Sequence, residues 1–522
     1  MKDSPFLGRT IQVVQDLSVD EQVYLYEKTR RLKHALQNHE PTEEFRLERS
    51  DGALYLLFME DSTRTKESFR NAAKFHGLRV NDFTAGSSSF NKKESITDTI
   101  RMLTGYADTS IFVVRTKLEG VCRWLESSIG EYARSAGLCQ PAFINAGDGR
   151  HEHPTQEFLD EFSFLEQKNW SRSHLHLALV GDLFHGRTVH SKVNGLKVFH
   201  EVEVDLVAPP ELEMPPYYVS RMRDNGFQVR VFGSIDEYLS QPKVASTWYF
   251  TRLQLERMGE RLRDKAETLR AAVTFVKPDL NRLPENTKFF HPLPRHRETP
   301  VIPTFLDSLP VNGWDRQSMN GYYTRIIEIA MVGGRLGSDF EGEARQIPEF
   351  PDDFIESASI VQRNKPEYKI GIKPVETGIV IDHIGTGKSP QQIFDHISKI
   401  REILHLNCVS SHGVFQSLRT KHHKGIISVP DFKDLDAPQM KMLGAIAPGC
   451  TINKIMNERV VEKFRLRMPP RVYNLPGIGC KNEDCVSHTS HGEPVVPEFY
   501  RAENELFTCR YCEHPHRFSE IW

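Results

Sequence analysis

The sequence predicts an α/β protein with two doubly wound parallel-sheet domains, followed by a small α+β domain and a separate cysteine-bearing tail. Three observations carry this. Between residues 53 and 300, short and wholly apolar runs alternate with helical patterns, as expected of parallel strands covered on both faces. After an acidic stretch containing Gly and Pro (GSDFEGEARQIPEFPDD), strand-like and helix-like segments follow in a different order. Four of the eight cysteines, Cys480, Cys485, Cys509 and Cys512, then crowd together near the end.

The chain has 522 residues, enough for about three or four domains. Its 39% hydrophobic and 26% charged residues describe a globular protein and exclude disorder throughout. Lys plus Arg number 67 against 70 Asp plus Glu, a net charge of -3, so no global basic field exists to hold nucleic acid or an anionic membrane. Any anion site must be local. No apolar run approaches the ~20 residues that span a bilayer, and MKDSPFLGRT lacks the apolar stretch of a signal peptide, so a soluble cytoplasmic protein is expected.

The first domain is expected over residues 1–153, with strands ALYLLF (53–58), SIFVVR (110–115) and AFINA (142–146). The helix-like stretch 154–169 opens a second domain, 154–315, carrying LHLALVGD (175–182), EVDLVAP (203–209), VASTWYF (244–250) and KFFHPLP (288–294). A last helix, MNGYYTRIIEIAMVGGRL, within about residues 316–336, returns to the first domain. Residues 337–368 read as a linker or peripheral segment. The α+β domain, 369–468, holds VETGIVIDHI (375–384), a helix over 389–404, GIISVPDF (425–432), a helix over 437–447 and CTINKIM (450–456). The tail, 469–522, is its own unit, and no internal repeat or low-complexity tract is evident.

The segment Glu60-Asp-Ser-Thr-Arg-Thr-Lys66 follows a strand and opens a helix. Ser62, Thr63 and Thr65 offer hydroxyl and backbone donors, Arg64 offers a charged fork, and the helix start adds a positive dipole end, all suited to an anion such as phosphate. Taken alone the tetrapeptide also fits an ordinary helix cap. Arg115 closes SIFVVR, and Gly147-Asp-Gly-Arg-His-Glu-His153-Pro-Thr-Gln156 follows AFINA, where α/β folds bind ligands. His153 on such a loop can donate to a carbonyl oxygen. His151 and His153 lack a nearby third ligand, and HEHP is not the HExxH of zinc proteases. In the second domain Arg187, and Arg252 with Gln254, stand at strand ends, and two guanidinium groups suit a small dicarboxylate. His291-Pro292-Leu293-Pro294 is a stiff turn with free carbonyls. Gly385-Thr-Gly-Lys388-Ser389 is not a P-loop, because Asp382 stands where the first glycine is required.

The spacing of Cys480, Cys485, Cys509 and Cys512, two short chelates joined by a loop, predicts one structural tetrathiolate Zn2+ per chain in a zinc-ribbon-like domain. Residues 469–522 carry five Lys plus Arg against eight Asp plus Glu, which argues against a nucleic-acid-binding ribbon.

The order STRT, SxxKK, VVR, HPTQ, GRTVHS, TRxQ and HPLP resembles the aspartate carbamoyltransferase catalytic chain over roughly residues 7–335. The resemblance implies the carbamoyltransferase type of two-domain fold, and synthesis of carbamoyl aspartate from carbamoyl phosphate and L-aspartate in pyrimidine biosynthesis. It implies that Ser62, Thr63, Arg64 and Thr65 hold phosphate, and that Arg64, Thr65, Arg115 and His153 reach the carbamoyl oxygen or phosphate. Gln156 would meet the carbamoyl NH2, Arg187, Arg252 and Gln254 the aspartate, and the carbonyls at Pro292 and Leu293 would orient both substrates. Ser89 and Lys93 correspond to the pair inserted into a neighbouring subunit's site, which requires at least a trimer. Two departures stand out: Glu94 directly follows Lys92-Lys93 where the family has Gly, and Lys66 replaces an Arg. The turn reads HPLP rather than the HCLP of ornithine carbamoyltransferases, which favours aspartate as acceptor. No nucleophile elbow and no need for a catalytic cofactor are apparent; Arg64, Thr65, Arg115 and His153 would stabilise the tetrahedral oxyanion formed when the α-amino group attacks.

Residues 369–522 resemble the regulatory chain of the same enzyme, here fused behind the catalytic chain, with nucleotide effectors as expected partners. Asp382, His383 and Lys463 match its effector-site residues, while Ser428 stands in place of a second lysine and Lys424 is the nearest basic residue. The alternative reading is a catalytically inactive carbamoyltransferase-like scaffold or regulatory protein, against which the intact Arg64, Arg115, His153, Arg187, Arg252 and Gln254 set speaks.

Overall fold

The computed structural model describes every residue except 1–3, 48–50, 85–94, 255–264, 347–352, 361–371, 373–374, 407–409, 418–419, 433, 476, 504 and 522. The chain divides into two compact units, Met1–Gln346 and Ile347–Trp522.

The first unit begins with α1 (Val19–Gln37), started by a capping box in which the Ser18 hydroxyl accepts from the Glu21 N–H and the Glu21 carboxylate accepts from the Ser18 N–H. A parallel sheet follows from β1 (Gly52–Phe58), α2 (Thr63–Phe75), β2 (Arg79–Thr84), α3 (Ile96–Thr104), β3 (Thr109–Thr116), α4 (Val121–Ser135) and β4 (Ala142–Asp148). Its strand order is β2-β1-β3-β4. All residues of β1 and β4 are buried, as their unbroken apolar runs require.

Helix α5 (Pro154–Gln167) leads to a second parallel sheet. It contains β5 (His174–Val180), α6 (Arg187–His190), α7 (Lys192–Gly195), β6 (Glu201–Val207), α8 (Pro216–Asp224), β7 (Gln228–Phe232), α9 (Ile235–Leu239), β8 (Thr247–Phe250) and β9 (Lys288–Phe290), in the order β7-β6-β5-β8-β9. The long helix Trp314–Val332 returns to pack on α1, α2 and α5. One continuous apolar core runs through both sheets, from Leu54 and Ile144 to Leu177 and Trp248.

The second unit holds a six-stranded antiparallel sheet of β10 (Ile355–Ser357), β11 (Gly378–Ile384), β12 (Ser411–Gln416), β13 (His423–Pro430), β14 (Thr451–Met456) and β15 (Arg459–Leu466). The order is β10-β15-β14-β11-β13-β12, with helices Pro390–Ile403 and Ala437–Ile446 between strands. A four-stranded antiparallel sheet, β16 (Arg471–Tyr473), β17 (Glu498–Arg501), β18 (Leu506–Cys509) and β19 (Pro515–Arg517), follows.

The structure corrects the sequence reading in two places. Strands β2, β7, β10, β12 and β15 escape it, because their sequences (RVNDFT, QVRVF, IES, SHGVFQ and RVVEKFRL) carry polar residues and lie at or beside sheet edges. The described parts of the stretch read as a linker, 337–346 and 353–360, also make contacts. Phe340 packs its ring against Phe6 and Tyr24, with centroids at 5.4 and 5.5 Å, Asp339 meets Lys28 at 2.5 Å, and Ile355–Ser357 pairs with β15. Two phenylalanines, Phe340 and the buried Phe354, anchor this acidic stretch, a signal too sparse for composition to reveal.

Candidate active site

In each parallel sheet of the first unit the chain reverses its direction of travel at one place, between β1 and β3 and between β5 and β8. At such a switch point the loops leaving the carboxyl ends diverge and open a crevice. Phe58 lies beside Arg115 in the first sheet and Val180 beside Phe250 in the second, so STRT, VVR, GRTVHS and TRxQ lie at these two places, while HPTQ and HPLP follow β4 and β9. The loops after β1, β5 and β8, with Arg115 at the end of β3, the start of α5, α2 and the 291–294 turn, line one cavity of about 1510 Å³.

Ser62, Thr63, Arg64, Thr65, Arg115, His153, Gln156, Arg187, Arg252, Gln254, Pro292 and Leu293 all line this cavity. Ser89 and Lys93 lie outside the described residues. Ser62 occupies the N-cap position of α2, but its side chain makes no capping hydrogen bond, so the ordinary-cap reading does not account for it. Arg64 donates to the Leu293 carbonyl across the cavity. Arg115 Nη1 donates to the Ala146 carbonyl at 3.0 Å, and Arg187 Nη1 to the Gly149 carbonyl at 3.2 Å.

Several residues without an assigned role in the sequence reading hold this arrangement. Glu60 lies between two of the arginines, at 3.3 Å from Arg115 and 2.9 Å from Arg187. Gly147, at φ +109°, leaves room for both guanidinium groups; a Cβ there would lie 2.9 Å from Arg115 Nη1 and 3.0 Å from Arg187 Cζ. The buried Asp182 carboxylate accepts from the Gln254 N–H at 3.1 Å and the His185 N–H at 3.0 Å, tying the loop after β8 to the loop after β5. Arg325, buried on the returning helix and bonded to the Ser68 hydroxyl, adds a further guanidinium to the wall. Its only sequence signal is a charge inside an apolar helix.

The electrostatics favour an anion. Desolvation in the cleft lowers the Arg64 guanidinium to about 10, and burial lowers Arg325 to about 10 despite the nearby Glu328 carboxylate. Burial, reinforced by Arg115, Arg187 and Arg325, depresses His153 well below the ordinary imidazole range. A neutral His153 can donate an N–H to a carbonyl oxygen while the surrounding cations attract negative charge. His291 is depressed to about 3 by burial and by Arg64, Arg295 and Arg252. Its Nδ1 accepts from the Leu293 N–H at 2.7 Å, which places its proton on Nε2.

In the second unit a separate cavity of about 540 Å³ is lined by His383, Lys388, His396, Lys463 and Arg465, together with Glu505. His383 and Lys463 of the sequence-derived effector set therefore share one cavity. Asp382 instead meets Lys424 at 2.8 Å and accepts from the His383 N–H at 2.7 Å. The four cysteines of the tail converge: all are buried, Cys480 and Cys512 Sγ lie 3.7 Å apart, and Cys485 and Cys509 Sγ 3.8 Å apart. Sulfurs around zinc at ~2.3 Å in a tetrahedron stand about 3.8 Å apart, so this donor set fits a tetrathiolate metal site. His516 Nε2 at 3.3 Å from Cys480 Sγ, and the Ser487 N–H at 3.4 Å from Cys485 Sγ, surround the sulfurs with polar partners that spacing alone does not reveal.

Comparison with known proteins agrees with this geometry. Residues 9–166 match the model of the aspartate/ornithine carbamoyltransferase carbamoyl-P binding domain. Residues 370–467 match the allosteric domain of the aspartate carbamoyltransferase regulatory chain, and residues 470–522 its metal binding domain. Protein PyrBI of Thermotoga maritima is 55% identical over 99% of both chains. Protein PyrBI of Treponema denticola is 50% identical over 100% of this chain and 99% of its own. The chain belongs to the aspartate carbamoyltransferase family, in its fused form. It is a carbamoyltransferase with a regulatory-chain region joined behind the catalytic one.

Among solved structures, aspartate transcarbamoylase from Trypanosoma cruzi, in complex with carbamoyl phosphate and aspartate, is similar over 63% of this chain and 98% of its own, with 28% identity and a TM-score of 0.53. The catalytic subunit of M. jannaschii aspartate transcarbamoylase is similar over 62% of this chain and 97% of its own, with 28% identity and a TM-score of 0.52. Among the described residues no helix is long and apolar enough to cross a membrane.

The depressed His153 gives a pH prediction. Its folded pKa lies below the unfolded value, so its neutral form contributes stability that is fully present above about pH 6.5 and is lost as the pH falls below that. The denaturant midpoint of the full chain should therefore drop between about pH 6.5 and 5, and His153→Gln should make that drop shallower. An unchanged slope in the variant would mean that His153 is not held neutral in the native protein.

Proposed function

We propose that the chain transfers the carbamoyl group of carbamoyl phosphate to the α-amino group of L-aspartate, giving N-carbamoyl-L-aspartate and phosphate for de novo pyrimidine biosynthesis. The observation that carries this reading is the meeting of both switch-point crevices in one arginine-lined cavity. Each sheet offers one end of it to an anion, a phosphate at the start of α2 and a dicarboxylate at Arg187 and Arg252. No observation favours the inactive-scaffold alternative.

In this reading Ser62, Thr63, Arg64 and Thr65 bind the phosphate. Arg64, Thr65, Arg115 and neutral His153 hold the carbamoyl oxygen, and Gln156 accepts from the carbamoyl NH2. Arg187, Arg252 and Gln254 bind aspartate, and the carbonyls at Pro292 and Leu293 orient its amino group. The amino nitrogen attacks the carbamoyl carbon, negative charge gathers on the oxygen, the bond from carbon to the phosphate oxygen breaks, and the proton shed by nitrogen leaves with phosphate. Each well-placed donor to the oxyanion contributes about 3 kcal/mol to the rate. Holding both substrates in line supplies much of the remainder.

The proposed organisation assigns carbamoyl phosphate to residues 1–153 with the returning helix, aspartate to 154–315, nucleotide effectors to 369–468, and one structural zinc to 469–522. Ser89 and Lys93 complete a neighbouring subunit's site in at least a trimer, and the protein works in the cytoplasm. When bound, the metal supplies folding energy to the tail and takes no part in the transfer.

Arg64→Ala should lower kcat at least ~100-fold with folding intact, because it removes a charged donor from the reacting groups. Mixed with equally impaired Lys93→Ala chains, it should regain partial activity, since some interfaces of a mixed trimer would pair an intact Lys93 with an intact Arg64. Near-normal turnover by the first variant removes Arg64 from the chemistry, and no recovery after verified subunit exchange removes the shared site.

For the tail, zinc binding at the four cysteines would contribute on the order of 10 kcal/mol to folding. Cys509→Ser should release the metal and unfold residues 469–522 while leaving carbamoyl transfer at least partly intact. Elemental analysis finding no zinc in the wild-type protein would contradict the metal assignment, and unfolding of the catalytic unit in the variant would show one cooperative structure.

A further inference from the structure

We propose that Asp160, which lies behind the cavity wall, is a positioning residue that fixes the direction of the Gln156 side-chain amide and so makes the cleft select a ligand bearing an NH2 group. The inference rests on the reading that Gln156 meets the carbamoyl amino group. It concerns how that recognition is set.

Asp160 sits one turn after Gln156 on α5 and is fully buried. Its Oδ1 accepts from Gln156 Nε2 at 2.8 Å and from Gln317 Nε2 at 2.6 Å, and its Oδ2 accepts from Lys192 Nζ at 2.9 Å. Lys192 is itself fully buried and also meets Glu157 at 2.6 Å, so Oδ2 faces a group that can only donate. A carboxylate paired with a lysine is acceptor-only, and any group facing it must be a donor. Gln156 must therefore turn its NH2 inward. Its Oε1, an acceptor, is left for the cavity that the residue lines. An acceptor at that position pairs with a carbamoyl NH2 and has nothing to offer a methyl group.

The same carboxylate orients a second amide. With its NH2 on Asp160, Gln317 presents Oε1 to the His291 N–H at 2.9 Å. His291 in turn accepts from the Leu293 N–H, and the Leu293 carbonyl meets Arg64. One acceptor-only group thus sets the polarity of the amide at one wall of the cavity and of the turn at the other. An asparagine at this position would carry both a donor and an acceptor and could satisfy Gln156 in either direction, including the one that turns NH2 toward NH2.

The test compares carbamoyl phosphate with acetyl phosphate, in which a methyl group replaces the amino group. Dissociation constants for both are measured with the full-length wild-type protein, Asp160→Asn, Gln156→Met and the double variant. Gln156→Met should lose about tenfold or more of the preference for carbamoyl phosphate. Asp160→Asn should lose a comparable share with acetyl phosphate affinity within about twofold of wild type, and the double variant should lose no more than Gln156→Met alone. A merely structural role for Asp160 would weaken both ligands together.

A folded Asp160→Asn variant with the wild-type preference overturns the proposal while leaving the Gln156 reading in place. A wild-type preference in Gln156→Met overturns that reading and the proposal with it. Should Asp160→Asn fail to fold, neutron diffraction on the wild-type protein, which distinguishes amide nitrogen from oxygen, decides the matter. Gln156 Nε2 toward Asp160 upholds the proposal, and Oε1 toward Asp160 overturns it.

Discussion

Repulsion among guanidinium groups is the constraint around which the catalytic unit is arranged. Arg64, Arg115, Arg187 and Arg252 face one cavity, and Arg325 stands in its wall. Two like charges 4 Å apart repel by about 4 kcal/mol at the effective dielectric of a protein surface. Such a group stays assembled only if the backbone positions are fixed and some charge is already compensated. The strand ends at the two switch points fix the positions, Gly147 admits two of the side chains, and Glu60 compensates Arg115 and Arg187. The residual positive field suits a phosphate and a dicarboxylate better than any neutral pair of ligands.

The same field explains why the other polar groups matter. Burial, reinforced by the neighbouring cations, keeps His153 neutral, so it can donate a hydrogen bond without competing for the proton that the reaction releases. Charge alone does not distinguish a carbamoyl group from other acyl groups, and in the proposed reading that discrimination falls to side chains of fixed polarity. There the Lys192, Asp160, Gln156 and Gln317 network supplies them, with Asp160 and Lys192 fully buried behind the cavity.

Much of this was legible in the sequence. Strands buried on both faces announce themselves as unbroken apolar runs, and residues at their ends, such as Arg115 and His153, stand out because polarity returns abruptly there. The cysteines are legible because metal chelation demands short spacing. Glu60, Asp160, Asp182 and Arg325 are not, because each acts on a partner that only the folded chain brings near. Glu60 and Arg187, for instance, follow strands of different sheets and meet only at the cleft. Strands β2 and β7 lie at sheet edges and carry enough polar residues to read as loop. In the regulatory-type unit, the ion pair between Lys424 and Asp382 likewise depends on strand register rather than on any local motif.

The central claim, that each sheet contributes one anion-binding end of a single cleft, is tested most directly by a crystal structure of the full chain with carbamoyl phosphate and succinate, a dicarboxylate that lacks the attacking amine. The phosphate is expected against the backbone and side chains of Ser62–Thr65, and the two carboxylates at Arg187 and Arg252, with the carbamoyl carbon between them. Both anions bound on the same sheet, or succinate bound away from Arg187 and Arg252, would contradict it.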